Sequence, residues 1–315
     1  MTTRETLAFA DESAWLKARE KDVTSTDVAA LFGCSPYLTA FELFHRKAGN
    51  VEVTFSGNER TRWGNRLESA IAQGAAEELG LTVEPFKSYM RIAEARMGAS
   101  FDFITTDRKT LIECKNVDGA QFAKTWLREG DVIEAPAHIE IQIQAQMEVA
   151  DIDRCFIAAL VGGNQLRTVE RLRDREVGAI IRAKVEAFWA DIAAGRAPAP
   201  DFQMDGHTIA KLYANANDDT IDLSGNNRLY ALCHEYKAAA ADADIASKRK
   251  DAAKAEILTL IGQAGKIIVG DYSINATMVQ DNPGTLVTPE MIGTYVGGRK
   301  GYRNLRIGAS KKKVA

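Results

Sequence analysis

The segment that most constrains this chain is residues 97–116, Met-Gly-Ala-Ser-Phe-Asp-Phe-Ile-Thr-Thr-Asp-Arg-Lys-Thr-Leu-Ile-Glu-Cys-Lys-Asn. Its end predicts a β-strand, because Leu111, Ile112 and Cys114 are apolar and the turn-prone Asp107 precedes them. Strand side chains alternate between faces, so Leu111, Glu113 and Lys115 share one face and Ile112 and Cys114 the other. A carboxylate and an ammonium then stand side by side on a rigid support. If residues 98–104 fold back on this strand as a hairpin, Asp102 joins Glu113. Two adjacent carboxylates repel unless a cation neutralises them, and hard oxygen donors suit Mg2+ or Mn2+. A lysine beside them can orient, or help deprotonate, an attacking water. The set suits hydrolysis of a phosphodiester. Glu-x-Lys on a strand is, however, also a common solvated charge pair, so the rest of the chain must decide.

Length and composition narrow the setting. A chain of 315 residues can bury a full core as one large domain or two. Its 46% hydrophobic and 26% charged residues are ordinary for a soluble globular protein. No apolar run is long enough to span a bilayer, and the polar start Met-Thr-Thr-Arg-Glu-Thr is no signal peptide, so the expected location is cytoplasmic with no membrane partner. The cysteines, Cys34, Cys114, Cys155 and Cys233, form no Cys-x-x-Cys pair, and the histidines form no ligand pair at helical spacing. Neither zinc nor an iron–sulfur cluster is signalled. A net charge of −3 argues against a coat of positive potential but leaves room for a local basic groove.

In chain order, residues 11–20 predict a short helix carrying Trp15 and Arg19. Thr24, Ser25, Thr26 and Asp27 are a cluster of N-cap residues before Val28-Ala29-Ala30-Leu31-Phe32, and Gly33 ends that helix. Two readings stand for Arg19 and these hydroxyls: plain capping, or a phosphate site at a helix start. A helix from Ala40 to Lys47 follows, with Phe41 and Phe44 inward. Residues 58–80 predict a longer helix, since Trp63, Leu67, Ile71, Ala75 and Leu79 recur every four residues, with Glu68 at the margin of the stripe. Residues 119–130 read as a helix or an irregular segment anchored by Phe122 and Trp126. From Pro136, placed to start a helix at its first position, His-Ile-Glu-Ile-Gln-Ile-Gln-Ala-Gln-Met alternates like a strand, but its length and Pro136 favour a helix. Gln142 and Gln146 then face inward with Ile139 and Ile143, and a buried amide needs a polar partner. Cys155–Val161 and Leu166–Leu172 predict a hairpin turned by Gly162-Gly163-Asn164, and a helix follows from about Asp174 to Ala194.

Gly-Arg-Ala-Pro-Ala-Pro at 195–200 reads as a linker, so the expected division is a core over 1–199 and an accessory region over 200–315. Residues 226–262, rich in Ala, Lys, Asp and Glu, predict one long helix with a thin apolar seam. Residues 266–279 and Tyr302–Ile307 read as short strands, and Lys311-Lys312-Lys313 as a basic tail.

Taken together, these pieces resemble a family. The chain is similar to the YqaJ-like viral recombinases, relatives of bacteriophage lambda exonuclease in the PD-(D/E)XK nuclease superfamily. Trp15-Leu16-x-x-Arg19 followed by Ser25-Thr26-Asp27-Val28 and Ser35-Pro36-Tyr37 matches the amino-terminal signature. Trp63-Gly64-Asn65-Arg66-Leu67-Glu68 matches the acidic helix. Asp102, ten intervening residues and Glu113-Cys114-Lys115 match the catalytic core, and Gln142-Ile143-Gln144-Ala145-Gln146 the glutamine helix. The resemblance covers about residues 12–195. Two departures are Phe101 in place of proline, a turn-shaping position, and Thr-Ser-Thr-Asp at 24–27 where the family usually has Gly-Gly-Ser-Asp. The second leaves the phosphate contact to either Ser25 or Thr26.

The resemblance implies an α/β PD-(D/E)XK core, a mixed central sheet flanked by helices, with a carboxy-terminal long-helix and β region appended. It implies that Asp102 and Glu113 hold Mg2+ (or Mn2+) with the Cys114 carbonyl, and that Glu68 serves a second metal or its water. Lys115 would position the attacking water, Gln142 would assist at the wall, and Arg19 with Ser25 or Thr26 would hold a 5′-phosphate. The implied activity is digestion of double-stranded DNA from an end, 5′→3′, leaving a 3′ strand for a single-strand annealing protein. The setting would be a phage or prophage gene in a bacterial cytoplasm, with a homo-oligomer, including a ring, left open. Two rivals remain: a structure-specific or restriction-like endonuclease, because one core serves both, and a non-catalytic DNA-binding protein.

Overall fold

The computed structural model describes residues 3–52, 58–129, 132–278 and 288. The chain divides between Leu212 and Tyr213 into two compact units.

The first unit opens with β1 (Arg4–Leu7), α1 (Glu12–Glu20), β2 (Val23–Thr24), α2 (Val28–Leu31), α3 (Ala40–Lys47) and α4 (Glu59–Leu79). Short strands follow, β3 (Val83–Pro85), β4 (Tyr89–Ile92), β5 (Met97–Ala99) and β6 (Phe103–Thr105), before the longer β7 (Thr110–Val117). Then come α5 (Gly119–Thr125), the hairpin β8 (Leu127–Glu129) and β9 (Val132–Glu134), α6 (Ala137–Ala150), β10 (Arg154–Val161), β11 (Gln165–Leu172), α7 (Arg175–Ala193) and α8 (Gly206–Leu212). Local chemistry sets these limits. Asp11 caps α1 by accepting from Ala14 N, Asn58 caps α4 from Thr61 N, and Asp174 caps α7 from Glu176 N and Val177 N. Gly80 closes α4 in the left-handed conformation, which a residue without Cβ adopts freely.

The central sheet has the order β11-β10-β7-β6-β3. It is mixed: β7 runs parallel to β10 and antiparallel to β6. A parallel pair needs a crossover, and α6 supplies it. The alternation of β7 divides the core in two. Ile112 points to α4, where Ile71, Ala72 and Ala75 pack with Phe103 and Ala158. Leu111 points to the opposite face, into a larger cluster with Ile139, Ile143 and Met147 of α6 and Val185 of α7. Burying each such aliphatic side chain is worth roughly 1.5–3 kcal/mol, so β7 is fixed from both sides. A second sheet, β1-β4-β5-β2, pairs β2 parallel to β5.

Several expectations need correction. Residues 98–104 are not one strand: β5 belongs to the second sheet, only the β6 part of the stretch pairs with β7, and Asp102 lies between β5 and β6. The cluster at 24–27 caps a turn rather than a long helix: Thr24 Oγ1 accepts from Asp27 N at 3.3 Å and Asp27 Oδ2 accepts from Thr24 N at 3.0 Å. Thr24 is a strand residue, and the α2 that follows is a single turn. Trp63 lies on the predicted stripe of α4 yet is 50% exposed. Pro136 is the N-cap of α6 rather than its first residue.

The second unit holds α9 (Asn227–Ile261), a 35-residue helix in which no residue is buried, and an antiparallel hairpin of β12 (Lys266–Val269) and β13 (Tyr272–Asn275). The expected strand at Tyr302–Ile307 and the basic tail lie outside the described residues. Among the described residues, no helix is long and apolar enough to cross a membrane.

Candidate active site

The strand β7 carries the centre of the site. Glu113 is only 4% exposed, and its carboxylate is held from three directions. Oε1 accepts from Lys115 Nζ at 2.5 Å and from Gln142 Nε2 at 2.6 Å, while Oε2 accepts from Gln146 Nε2 at 2.8 Å. Lys115 Nζ also reaches Gln142 Oε1 at 3.3 Å, closing a ring of lysine, glutamate and glutamine. Residues 113 and 115 meet because a strand repeats every two residues; Gln142 and Gln146 meet them because a helix brings i and i+4 to one face. The polar partner demanded by two buried amides is therefore Glu113. Asp102 approaches from the turn before β6, where its Oδ2 accepts from Cys114 N at 2.7 Å.

Glu68 stands on α4, half-buried, and its charge reaches the same centre. Burial raises its pKa from the ordinary glutamate value, and the charge of Glu113 raises it further. Asp102 is raised more strongly, by burial first and then by Glu113 and Glu68. Burial likewise pushes the Cys114 thiol up, so it remains protonated. For Lys115, burial pulls the ammonium down, but Glu113 and Asp102 outweigh it and the net shift is upward. Its side chain keeps 24% exposure, an opening to solvent.

Three carboxylates against one ammonium leave net negative charge in a confined space. Among the described residues, no three His, Cys, Asp or Glu side chains converge as a ready metal cage. Asp102 and Glu113 nonetheless supply hard oxygens beside uncompensated charge, and that donor set fits a hard divalent cation. Glu68 takes part through its field.

The amino-terminal candidates lie on other elements. Arg19 stacks on Trp15, with its guanidinium carbon 4.3 Å from the ring centroid. Burial lowers its pKa and Asp27 counteracts this; arginine keeps its charge regardless. Ser25 is buried, with its N–H donating to Gly98 O at 2.9 Å, whereas Thr26 is exposed. Sequence reasoning placed Gln146 inward but gave it no part in the site. It gave no role to Ser100, whose Oγ accepts from Trp15 Nε1 at 3.1 Å and whose carbonyl accepts from Gln146 at 3.3 Å. The inward face of α6 was the available signal for Gln146; no local signal marks Ser100.

The mixed sheet thus places Asp102 before one central strand and Glu113 and Lys115 on the next. Comparison with known proteins gives the family. Residues 14–153 match the YqaJ-like viral recombinase domain. An uncharacterised protein, YqaJ, of Bacillus subtilis strain 168 is 32% identical over 225 residues, which span 68% of this chain and 67% of that protein. The chain belongs to the YqaJ-like viral recombinase family. Solved structures that resemble it include the alkaline exonuclease LHK-Exo of Laribacter hongkongensis, at TM-score 0.47 and 22% identity over 64% of this chain and 99% of that one. Another is a phage-related exonuclease from Haemophilus somnus 129PT, at TM-score 0.39 and 15% identity over 55% and 96%.

Proposed function

We propose that this protein is a Mg2+-dependent DNA exonuclease, able to use Mn2+, that digests duplex DNA from an end in the 5′→3′ direction. The single observation behind this reading is the Glu113–Lys115–Gln142 ring with Asp102 anchored beside it. A solvated charge pair has no reason to keep its carboxylate 4% exposed and tied to two buried amides. Asp102, Glu113 and the Cys114 carbonyl are the proposed cation ligands, with Glu68 serving a second ion or its water. A bound divalent cation neutralises this cluster and stabilises charge on the scissile phosphate.

The chain's own residues do the rest. Lys115 keeps its proton at Nζ, which suits it to orienting the attacking water and facing the developing negative charge. Gln142 holds Glu113 and Lys115 at once, so the two cannot drift apart. Arg19, backed by the Trp15 ring, is the proposed contact for the terminal 5′-phosphate, with Ser25 or Thr26 beside it. A terminal phosphate carries more charge than an internal one, which favours ends. A 3′ single strand so produced would pass to an annealing protein in phage-type recombination in a bacterial cytoplasm, and self-association of this chain is compatible with that role.

The test is digestion of linear duplex bearing a 5′-phosphate and an end label, with Mg2+ or with EDTA, beside an internally labelled circular duplex. Metal-dependent loss of the linear substrate with the circle intact is expected, and Arg19→Ala should remove much of the preference for phosphorylated ends. Cutting of the circle would favour an endonuclease. No metal-dependent loss of either substrate would leave a DNA-binding protein.

A further inference from the structure

Ser100 occupies an unusual position. It follows β5, precedes Asp102 by two residues, and is bonded on two sides. Its Oγ accepts the indole N–H of Trp15 at 3.1 Å, on the helix whose Arg19 stacks over that same indole. Its carbonyl accepts from Gln146 Nε2 at 3.3 Å. The same nitrogen donates to Glu113 Oε2 at 2.8 Å. One amide group, 2% exposed, thus divides its two hydrogens between the Ser100 loop and a carboxylate of the active site.

We propose that Ser100 is the joint through which an occupied DNA end is reported to the catalytic carboxylates, with Trp15 and Gln146 as its two arms. This rests on the nuclease reading and on Arg19 as the phosphate contact. The path is contiguous: Arg19 on the Trp15 face, Trp15 on the Ser100 hydroxyl, the Ser100 carbonyl on Gln146, and Gln146 on Glu113. A phosphate that draws on Arg19 loads the indole, and the indole holds the backbone that presents Asp102. The two metal-facing carboxylates are then set from opposite ends of one short segment: Asp102 by the loop itself and Glu113 by the amide that the loop shares. With an unphosphorylated end, nothing loads the first arm, and the carboxylates keep a looser placement. These are positioning residues; none of the three touches the reacting atoms.

Such bonds also tie α1, the loop and α6 together as plain structure, and a ratio separates the two roles. A structural defect slows digestion of every end alike, whereas a broken joint lowers the preference for phosphorylated ends. The rates of the full-length protein on 5′-phosphate and 5′-hydroxyl duplexes should be compared for the wild type, Ser100→Ala, Ser100→Thr and Gln146→Met. Thermal melting should accompany each variant. The wild type should favour the phosphate by at least about fivefold, the low end of measured coupling between sites. Ser100→Ala, which lacks only the hydroxyl, should lose most of that preference, and Ser100→Thr, which restores it, should keep it. Gln146→Met, of similar volume but with no donor, should behave like Ser100→Ala; if it does not fold, the Ala and Thr pair decides. Equal slowing on both ends with the ratio intact, or Ala and Thr variants that match, would overturn the joint. So would a wild-type protein that digests DNA without discriminating ends. A wild-type protein that digests no DNA would overturn the nuclease reading, and the joint with it.

Discussion

Asp102 is ionised at neutral pH only at a cost, since burial and the charges of Glu113 and Glu68 all favour its protonated form. The sign of the stability effect follows. A carboxyl whose folded pKa is raised binds its proton more tightly in the folded state, so stability falls as pH climbs from the ordinary carboxylate range through the raised value. Asp102→Asn removes that charge while keeping an oxygen for Cys114 N–H. In EDTA at neutral pH the variant should therefore melt higher than the wild type, on the order of 2–4 °C if about 1 kcal/mol is recovered. Mg2+ should raise the wild-type melting temperature and leave the variant nearly unmoved. Melting curves across pH with and without Mg2+ check both statements; a lower-melting Asp102→Asn protein would mean that the repulsion is already relieved. Lys115→Ala should abolish digestion, by at least about 100-fold given the usual contribution of a positioned proton-handling or charge-stabilising group, with the fold retained by circular dichroism. Wild-type rates in that variant would refute the site. At this scale the sequence was legible where chemistry is local. Glu113 and Lys115 stand two apart on a strand, and Gln142 and Gln146 four apart on a helix. Ser100 was not legible, because its partners are 85 and 46 residues away.

Among the elements, α6 carries both the glutamines and an internal ion cluster. Glu148 at its end is 1% exposed and accepts from Arg173 Nε and Nη2 at 3.2 and 2.8 Å, with Arg182 of α7 also paired to it. Gly178 of α7 makes room for this carboxylate, as a Cβ there would lie 2.3 Å from Glu148 Oε2. Both guanidinium groups hold that side chain, so it cannot simply swing away. Gly178→Ala should destabilise the protein by roughly 1–3 kcal/mol, the usual cost of overpacking. It should also slow digestion, because α6 bears Gln142 and Gln146. Denaturant melts and digestion rates check this; unchanged values for both would show that the Glu148 cluster yields without disturbing α6. Long periodic elements such as α4 and the β10–β11 hairpin were readable, because each repeats its apolar pattern over several turns or pairs, whereas α6 was readable from its length and Pro136 against an alternation that suits a strand. The second sheet was not. Its strands run two to four residues, and β1 finds β4 across more than eighty positions, from Leu7 to Tyr89. Alternation over so few residues carries no signal, and β8, β9 and α8 escaped for the same reason.

For the molecule as a whole, the question is what the residues after the first unit contribute. Every candidate site residue, and both apolar clusters, lie before Tyr213. The expected boundary at 199 would cut through a structural tie. Asp205 is fully buried, accepts from Thr39 Oγ1 at 2.5 Å and from Asp201 N at 2.7 Å, and so fastens the start of α8 to the cap of α3. A fragment ending at Ala199 would leave Thr39 without that partner; one ending at Leu212 keeps it. By contrast, α9 buries none of its 35 residues, and among the described residues its Lys248-Arg249-Lys250 run shows one exposed pair, Lys248 with Asp244 at 2.8 Å. Exposed pairs of this kind add well under about 1 kcal/mol, and isolated helices gain most of their stability from a packed face. The proposal for this region is therefore attachment, to a partner protein, to another copy or to DNA, and not chemistry. Residues 1–212 should fold cooperatively and retain Mg2+-dependent digestion of short duplexes, while digestion of long substrates or assembly weakens. Melting, sizing and digestion of the fragment beside the full chain decide the matter. A folded 1–212 fragment with no cleavage under any divalent metal, beside an active full-length protein, would show that the second unit completes the active site.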